Sequence, residues 1–308
     1  MTDIRTSLAI LSDQLADAAA AAADSIVAVH ARPRLPSTGI HWEDGVVVTT
    51  DGTVRRENDI TVTLPDGRKL PATLAGRDRS TDLAVLRVAA GSLSAARLGD
   101  PGSLKPGHLV LALARLGQGG HRVSFGAVSA VGGSWRSWKG GEIDRLLQSS
   151  LTLYPGFGGG PLVDATGQIH GINSGGLSRA FATTIPVETV NRTVRQLLER
   201  GYVARGWLGA AMQPVRFNPA AQRRLGLETD GGLVILSVEA DGPAASAGLL
   251  VGDVIVKLGG RSIEDVEDLV DALSRSDVVG RTFDLDLVRG GELVKADVLI
   301  GERPRRSA

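Results

Sequence analysis

The spacing of hydrophobic positions changes along the chain, and each change marks a different element. Ile4, Leu8, Leu11 and Leu15 recur at helical intervals and an alanine run follows, so residues 3–23 predict one amphipathic helix. Such a helix packs on its own domain or joins copies of the chain, and the first is the commoner use of an apolar face. Beyond it the period falls to two. Ile60, Val62 and Leu64 alternate with Thr61 and Thr63, Asp66-Gly67 supplies a hairpin turn, and a second strand runs from Lys69 to Leu74. Further short strands are predicted over 83–88, 108–114, 123–131 and 168–172, separated by Gly- and Pro-rich turns. Many short strands without intervening helices predict an all-β sandwich or barrel. A helix opens after Pro186 with Val187, Val190, Val194 and Leu198 on one face and ends near Gly201. The pattern then resets to strands over 233–238, 254–258, 283–288 and 293–300, with a helix over 264–274.

Composition narrows the function classes. With 308 residues and 43% hydrophobic content, the chain can bury two cores, and two domains are expected. Lys plus Arg and Asp plus Glu both total 34, so no overall field draws the protein to nucleic acid or to an anionic membrane. The absence of cysteine removes disulfides, thiolate metal sites and a cysteine nucleophile, and no metal or other cofactor is expected. The apolar run Leu8-Ala9-Ile10-Leu11 is short and acidic at its edges, unlike a secretory leader, and the alanines at 18–23 lie between Asp17 and Asp24. These features predict no membrane span and a cytoplasmic protein, or an extracytoplasmic one if an export signal lay upstream.

The candidate chemistry lies in Pro155-Gly156-Phe157-Gly158-Gly159-Gly160-Pro161-Leu162. This run resembles the active-site turn of the HtrA/Deg group of trypsin-like serine proteases, with Gly158 at the position of the nucleophilic serine. The resemblance extends over residues 37–201. Ser37-Thr38-Gly39 begins its first strand pair, Gly45-Val46-Val47-Val48-Thr49 leads toward the histidine position, and Ile60 to Arg68 follows at the family's interval, which places Gly52 on the catalytic histidine. Thr81-Asp82-Leu83-Ala84-Val85-Leu86 matches the segment of the third triad member, so Asp82 takes the place of the orienting aspartate. A serine hydroxyl attacks only when an imidazole accepts its proton, and the aspartate merely holds that imidazole. The resemblance therefore implies a degenerate triad. Gly156 and Gly158 retain the N–H groups that form the family's oxyanion hole, and the glycine run either keeps that vestigial nest or relaxes from it. The histidines, His30, His41, His108, His121 and His170, read as structural or surface residues. The loops 134–139, with Trp135 and Trp138, and 173–180 correspond to the flanks of a specificity pocket, where the aromatics either bind peptide or pack on the sheet.

Residues 207–300 resemble an HtrA-type PDZ domain. Trp207-Leu208-Gly209-Ala210 takes the place of the carboxylate-binding loop, Gly242 to Leu249 matches the turn and short helix, and Val251-Gly252-Asp253-Val254-Ile255 follows. Such a domain receives an extended peptide as an added strand and captures its terminal carboxylate on main-chain N–H groups. Leu208, Ala210, Leu269 and Leu273 are candidates for an apolar pocket, or for core, with Ala210 smaller than the family's usual aliphatic residue.

The resulting division is an N-terminal helix and lead-in over 1–30, a protease-like domain over 31–186, a helix and linker over 187–206 and a PDZ domain over 207–303. The fold class is mainly β, a trypsin-like double β-barrel with an N-terminal helix followed by a PDZ domain. The function these features imply is a catalytically inactive homologue that binds protein C-termini or unfolded segments as an adaptor, regulator or chaperone-like factor. The alternatives are an endopeptidase with displaced catalytic residues and a structural subunit of an active homologue. Self-association, or association with an active homologue, is expected not to use N-terminal aromatics, because residues 1–40 contain no Phe or Tyr or Trp.

Overall fold

The computed structural model describes residues 2–89, 91, 93–117, 120–178, 182–274 and 278–303. The chain divides into two compact units, Met1–Val203 and Ala204–Ala308.

The first unit opens with α1 (Thr2–Ala23). Six strands then close an antiparallel barrel: β1 (Ile26–His30), β2 (Ser37–Glu43), β3 (Val46–Thr49), β4 (Ile60–Thr63), β5 (Lys69–Asp78) and β6 (Leu83–Val88), in the order β1-β2-β3-β6-β5-β4. Val27, Val29, Val47, Val62 and Leu86 fill its interior. A second closed barrel follows, from β7 (Leu109–Arg115) and β8 (His121–Gly132), past a ribbon of β9 (Trp135–Arg136) and β10 (Glu142–Ile143), to β11 (Leu146–Ser149), β12 (Pro161–Asp164), β13 (Ile169–Ser174) and β14 (Ala182–Pro186). Val110, Ala112, Leu147, Phe157 and Leu162 fill that one.

A third cluster joins the barrels from outside. Ile40, Val48 and Val85 of the first barrel meet Leu111, Val163 and Ile172 of the second, and Ala18, Ala19, Ala22 and Ala23 of α1 pack on the same mass. The Arg115 guanidinium, itself buried, donates to Ile26 O at 2.8 Å and to Ala23 O at 3.1 Å, satisfying a carbonyl at the C-terminal end of α1.

Two of the expected boundaries move. The helix after Pro186, α2 (Val187–Arg200), belongs to the first unit and is not a linker, because Val187, Val190, Val194 and Leu197 are buried in the inter-barrel cluster. Gly201 ends it in the left-handed conformation, at φ 78°, with its N–H on Leu197 O. The lead-in of residues 1–30 likewise contains a wall of the first barrel, since β1 pairs with both β2 and β4.

The second unit begins with β15 (Gly206–Trp207), which pairs at its far end with β22 (Gly301–Glu302). Between them run β16 (Ala210–Arg216), α3 (Pro219–Leu225), β17 (Gly231–Val238), α4 (Pro243–Ser246), β18 (Val254–Leu258), β19 (Arg261–Ser262), α5 (Val266–Leu273), β20 (Thr282–Arg289) and β21 (Glu292–Leu299). The sheet order is β16-β17-β18-β20-β21, with β19 paired to β18, so β16 is an edge strand. Leu208, Leu233, Ile235, Ile255, Leu269, Leu285 and Leu287 form the core. The helix predicted from residue 264 starts at Val266, because Asp265 caps it and Asp268 returns a bond to the Asp265 N–H.

Candidate functional site

The glycine turn of the first unit is held by hydrogen bonds from both barrels. Thr38 Oγ1 donates to Gly156 O at 2.8 Å and Thr38 N–H to Gly158 O at 3.3 Å. Gly159 N–H donates to Asn173 O at 3.0 Å, and Asn173 N–H returns to Gly160 O at 2.8 Å. Gly159 sits at φ 87°, and a Cβ there would lie 2.1 Å from Thr38 O, so no other residue fits. Gly158 is different. Its φ is not in the left-handed region, and a Cβ would meet only Thr50 Oγ1 at 3.5 Å and Thr53 Cγ2 at 3.6 Å. Among the described residues, neither the Gly156 nor the Gly158 N–H has a protein acceptor.

Asp82 lines the same cleft, at φ 56° and 2% exposed. Its Oδ1 accepts the Gly52 N–H at 2.9 Å and its Oδ2 accepts the Ser174 hydroxyl at 2.6 Å. A Cβ at Gly52 would stand 3.3 Å from Asp82 Oδ1. Burial pushes the Asp82 carboxyl above the usual carboxylate range, and the two hydrogen bonds, with Lys139 at longer range, offset only part of that. Arg32, Thr50, Gly52, Asp82, Tyr154 and Gly158 are among the residues lining this open cleft of about 420 Å³. The structure thus brings Gly52, Asp82, Gly156 and Gly158 together.

The histidines are engaged elsewhere or lie on the surface. His30 Nε2 is 2.8 Å from Thr63 Oγ1, buried His41 bonds Ser94 O through Nδ1 at 3.2 Å, and His108 Nδ1 accepts the Lys105 N–H at 3.4 Å. His170 is fully buried, with Nε2 on Asp164 Oδ2 at 2.9 Å and Nδ1 on Asp100 O at 3.1 Å. His121 stands exposed at the start of β8. Among the described residues no imidazole bonds to Asp82. The two specificity-loop candidates do meet: Trp138 Nε1 donates to Gly176 O at 2.8 Å, while Arg179 and Ala180 of the second loop lie outside the described residues. Trp138 stays largely exposed, with Lys139 Nζ 5.1 Å above its ring, and Trp135 is half-buried against the inter-barrel cluster.

In the second unit Trp207 is half-buried in β15, Leu208 is buried and Gly209 turns at φ 72°. Their carbonyls are used: Leu208 O accepts Ala244 N–H at 2.7 Å and Gly209 O accepts Glu239 N–H at 2.8 Å. Among the described residues, the Leu208 and Gly209 N–H groups have no protein acceptor. Ala210 then opens β16, beside which α5 packs. Of the pocket candidates, Leu269 is a core residue, and Leu273 packs against the core and lines a separate cavity of about 260 Å³ with Leu258 and Phe283. The apolar residues that α5 leaves exposed are Val266 and Val270, which the sequence reading missed, although their i, i+4 spacing marks one helix face.

Residues 37–172 match the family of trypsin-like peptidase domains and residues 206–300 match the PDZ domain family. Fold and site thus define a trypsin-like peptidase unit followed by a PDZ unit. The chain belongs to the HtrA-type proteases. It is 34% identical over 278 residues to a probable periplasmic serine endoprotease DegP-like of Halomonas elongata, covering 89% of this chain and 57% of that one. It is 39% identical over 250 residues to one of Brucella suis, covering 78% and 47%. The chain thus spans about half the length of the curated relatives it matches. Among solved structures, the HtrA-type protease AlgW with decapeptide is 27% identical with a TM-score of 0.73, covering 95% of this chain and 99% of that one. The serine endoprotease from Yersinia pestis is 26% identical with a TM-score of 0.73, covering 94% and 98%. The cytoplasmic placement is overturned: the relatives are named periplasmic, which points to that compartment. The expectation rested on the first residues of the chain, which do not by themselves establish a compartment.

Proposed function

We propose that this chain is a non-hydrolysing HtrA-type protein whose second unit captures the C-termini of other polypeptides. The observation that carries the reading is the environment of Asp82. Its carboxyl accepts a backbone N–H and the Ser174 hydroxyl, and among the described residues no imidazole bonds to it, in the place where a triad aspartate would orient one. Gly52 and Gly158 offer neither a proton acceptor nor an attacking oxygen. The Leu208 and Gly209 N–H groups, by contrast, are free to receive a carboxylate, and the edge strand β16 beside them is open to an added strand.

The names of the relatives favour a second reading, an endopeptidase whose working residues have moved. Thr50 supplies the hydroxyl nearest the empty nucleophile position, where Thr53 presents its methyl, but Thr50 Oγ1 donates to Thr53 Oγ1 at 3.3 Å, Thr53 Oγ1 donates to Thr50 O at 2.8 Å, and among the described residues no imidazole bonds to either. A fluorophosphonate probe and a denatured protein substrate separate the two readings. The expected result is neither labelling nor cleavage by the full chain, together with saturable binding of free-acid peptides that amidation of their C-terminus abolishes. Labelling at a threonine or serine of the first unit would establish the endopeptidase instead.

A further inference from the structure

β16 pairs with β17 along one side, and among the described residues no strand pairs along the other. Its register decides which backbone groups face the open side. At one end Phe217 N–H donates to Asp230 O at 2.7 Å, and at the other Gly209 O accepts Glu239 N–H at 2.8 Å. Successive residues of an antiparallel strand turn their N–H and C=O to opposite sides. The one irregularity, between Ala211 and Met212, is absorbed by β17, where Leu236 has no partner across the ladder. Counting from both ends therefore agrees: Ala211, Gln213 and Val215 face β17, whereas Ala210, Met212, Pro214 and Arg216 face the open side. Pro214 leaves the existing ladder intact for this reason, since its ring nitrogen lies on the unpaired edge.

We propose that Pro214 terminates any strand added to β16 and so limits recognition to the last three residues of a captured peptide; this rests on the C-terminus capture proposed above. A peptide entering antiparallel to β16, its carboxylate on the Leu208 and Gly209 N–H groups, sets its last residue beside Ala210. Its third residue from the end lies opposite Met212, which offers both an N–H and a C=O. Its fifth lies opposite Pro214, which offers only a C=O. The carbonyl of that fifth residue is left without a donor as it loses water, a cost that offsets the one bond its N–H can make. Immediately beyond, the Arg216 guanidinium reaches Asp230 and, at 3.4 Å, Glu264. Glu264 immediately precedes the cap of α5, so this link runs from the strand side of the groove to the helix side.

The test compares free-acid peptides of three, five and seven residues, in series ending in Val, Leu or Phe, binding to the full chain. The seven-residue peptides are expected to bind within about threefold of the three-residue ones. Pro214→Val restores an N–H on an exposed edge and is expected to tighten the longer peptides by about three- to tenfold, the worth of one backbone hydrogen bond, while leaving the three-residue peptides unchanged. Pro214→Ala should do the same without a β-branched side chain. A native chain that already binds seven residues more than about tenfold tighter than three, with a ratio neither variant alters, overturns the role of Pro214 and leaves the capture reading standing. If no free-acid peptide of any length binds, or if C-terminal amides bind equally well, the capture reading falls and takes the limit at Pro214 with it.

Discussion

Among the described residues, the cleft of the first unit and the loop of the second both present backbone N–H groups without protein acceptors, yet only one of them needs side chains for its chemistry. Acyl transfer requires a hydroxyl and an imidazole, so on the reading proposed above glycine at 52 and 158 withdraws both groups while leaving the scaffold in place. Capture of a carboxylate requires only oriented N–H groups and an open strand edge, which no side-chain substitution of that kind touches. On that reading one function depends on side chains and the other on the backbone, so the first can be absent without rearranging either unit.

The largest effect that would sharpen this contrast is a gain of activity. Gly52 and Gly158 both have a backbone compatible with an L side chain, and a Cβ at either meets nothing closer than 3.3 Å. The double change Gly52→His and Gly158→Ser is expected to become labelled by a fluorophosphonate and to cleave an unfolded substrate. Its rate should exceed either single variant by about a thousandfold or more, because hydroxyl and imidazole act as a unit. Hydrolysis by Gly158→Ser alone would break the contrast, since it would mean that an imidazole reaches the cleft from elsewhere. A second change acts on the other side of the comparison. Gly209 turns at φ 72°, and a Cβ there would lie 3.0 Å from Gly242 Cα. Gly209→Val should weaken binding of C-terminal peptides by about tenfold or more, the equivalent of losing one charge-assisted hydrogen bond. Unchanged affinity, measured by titration with a fluorescent peptide, would place the carboxylate somewhere other than this loop.

How much of this was legible in the sequence depended on whether a segment buries one face or two. The alternation of Ile60 to Leu64 and of Thr282 to Leu287 was readable because those strands keep a polar face. Ile26-Val27-Ala28-Val29 was not read as a strand: Val27 and Val29 enter the barrel interior and Ile26 the inter-barrel cluster, so the run is apolar throughout. α3 was missed for the opposite reason. None of its residues is buried, so it has no apolar period, although Asn218 caps it and Pro219 starts it. The apolar stripe of α2 was visible, but a stripe does not say which unit it packs against, and the boundary fell on the wrong side of the helix. At the candidate site, the motif order picked out Gly52, Asp82 and Gly158, which line one cleft. It could not show what the Asp82 carboxyl bonds to, because Ser174 is 92 residues away in sequence.

The smallest expected effect concerns what a buried carboxyl does without a cationic partner. Asp82 and Asp253 are both 2% exposed, but Asp253 receives Arg289 through Nε at 2.8 Å and through Nη2 at 2.7 Å, whereas Asp82 receives only a neutral N–H and a hydroxyl. The Arg289 hydrogen bonds hold the Asp253 carboxyl below its ordinary value, and burial holds that of Asp82 above it. The signs of linkage are therefore opposite. Asp253 contributes stability that is present above the unfolded carboxylate pKa of about 3.9 and is lost as pH falls through its lower folded value. Asp82 does the reverse: the folded state holds its proton more tightly than the unfolded one, so its contribution is present below the unfolded pKa and is lost as pH rises through its higher folded value. Replacing Asp82 with Asn keeps an acceptor for the Gly52 N–H, lets the Ser174 hydroxyl turn to accept from the new amide, and removes the ionisation. The full chain carrying Asp82→Asn should gain about 2 °C in the Tm of the first unit at pH 7.5, with the gain shrinking toward pH 4. Asp253→Asn should lower the transition of the second unit at pH 7.5 by several degrees, on the order of 5 °C. A loss of stability in Asp82→Asn at neutral pH would mean that its charge is matched by a cation in the cleft, and Asp82 would then have to be reconsidered as a working member of a catalytic site.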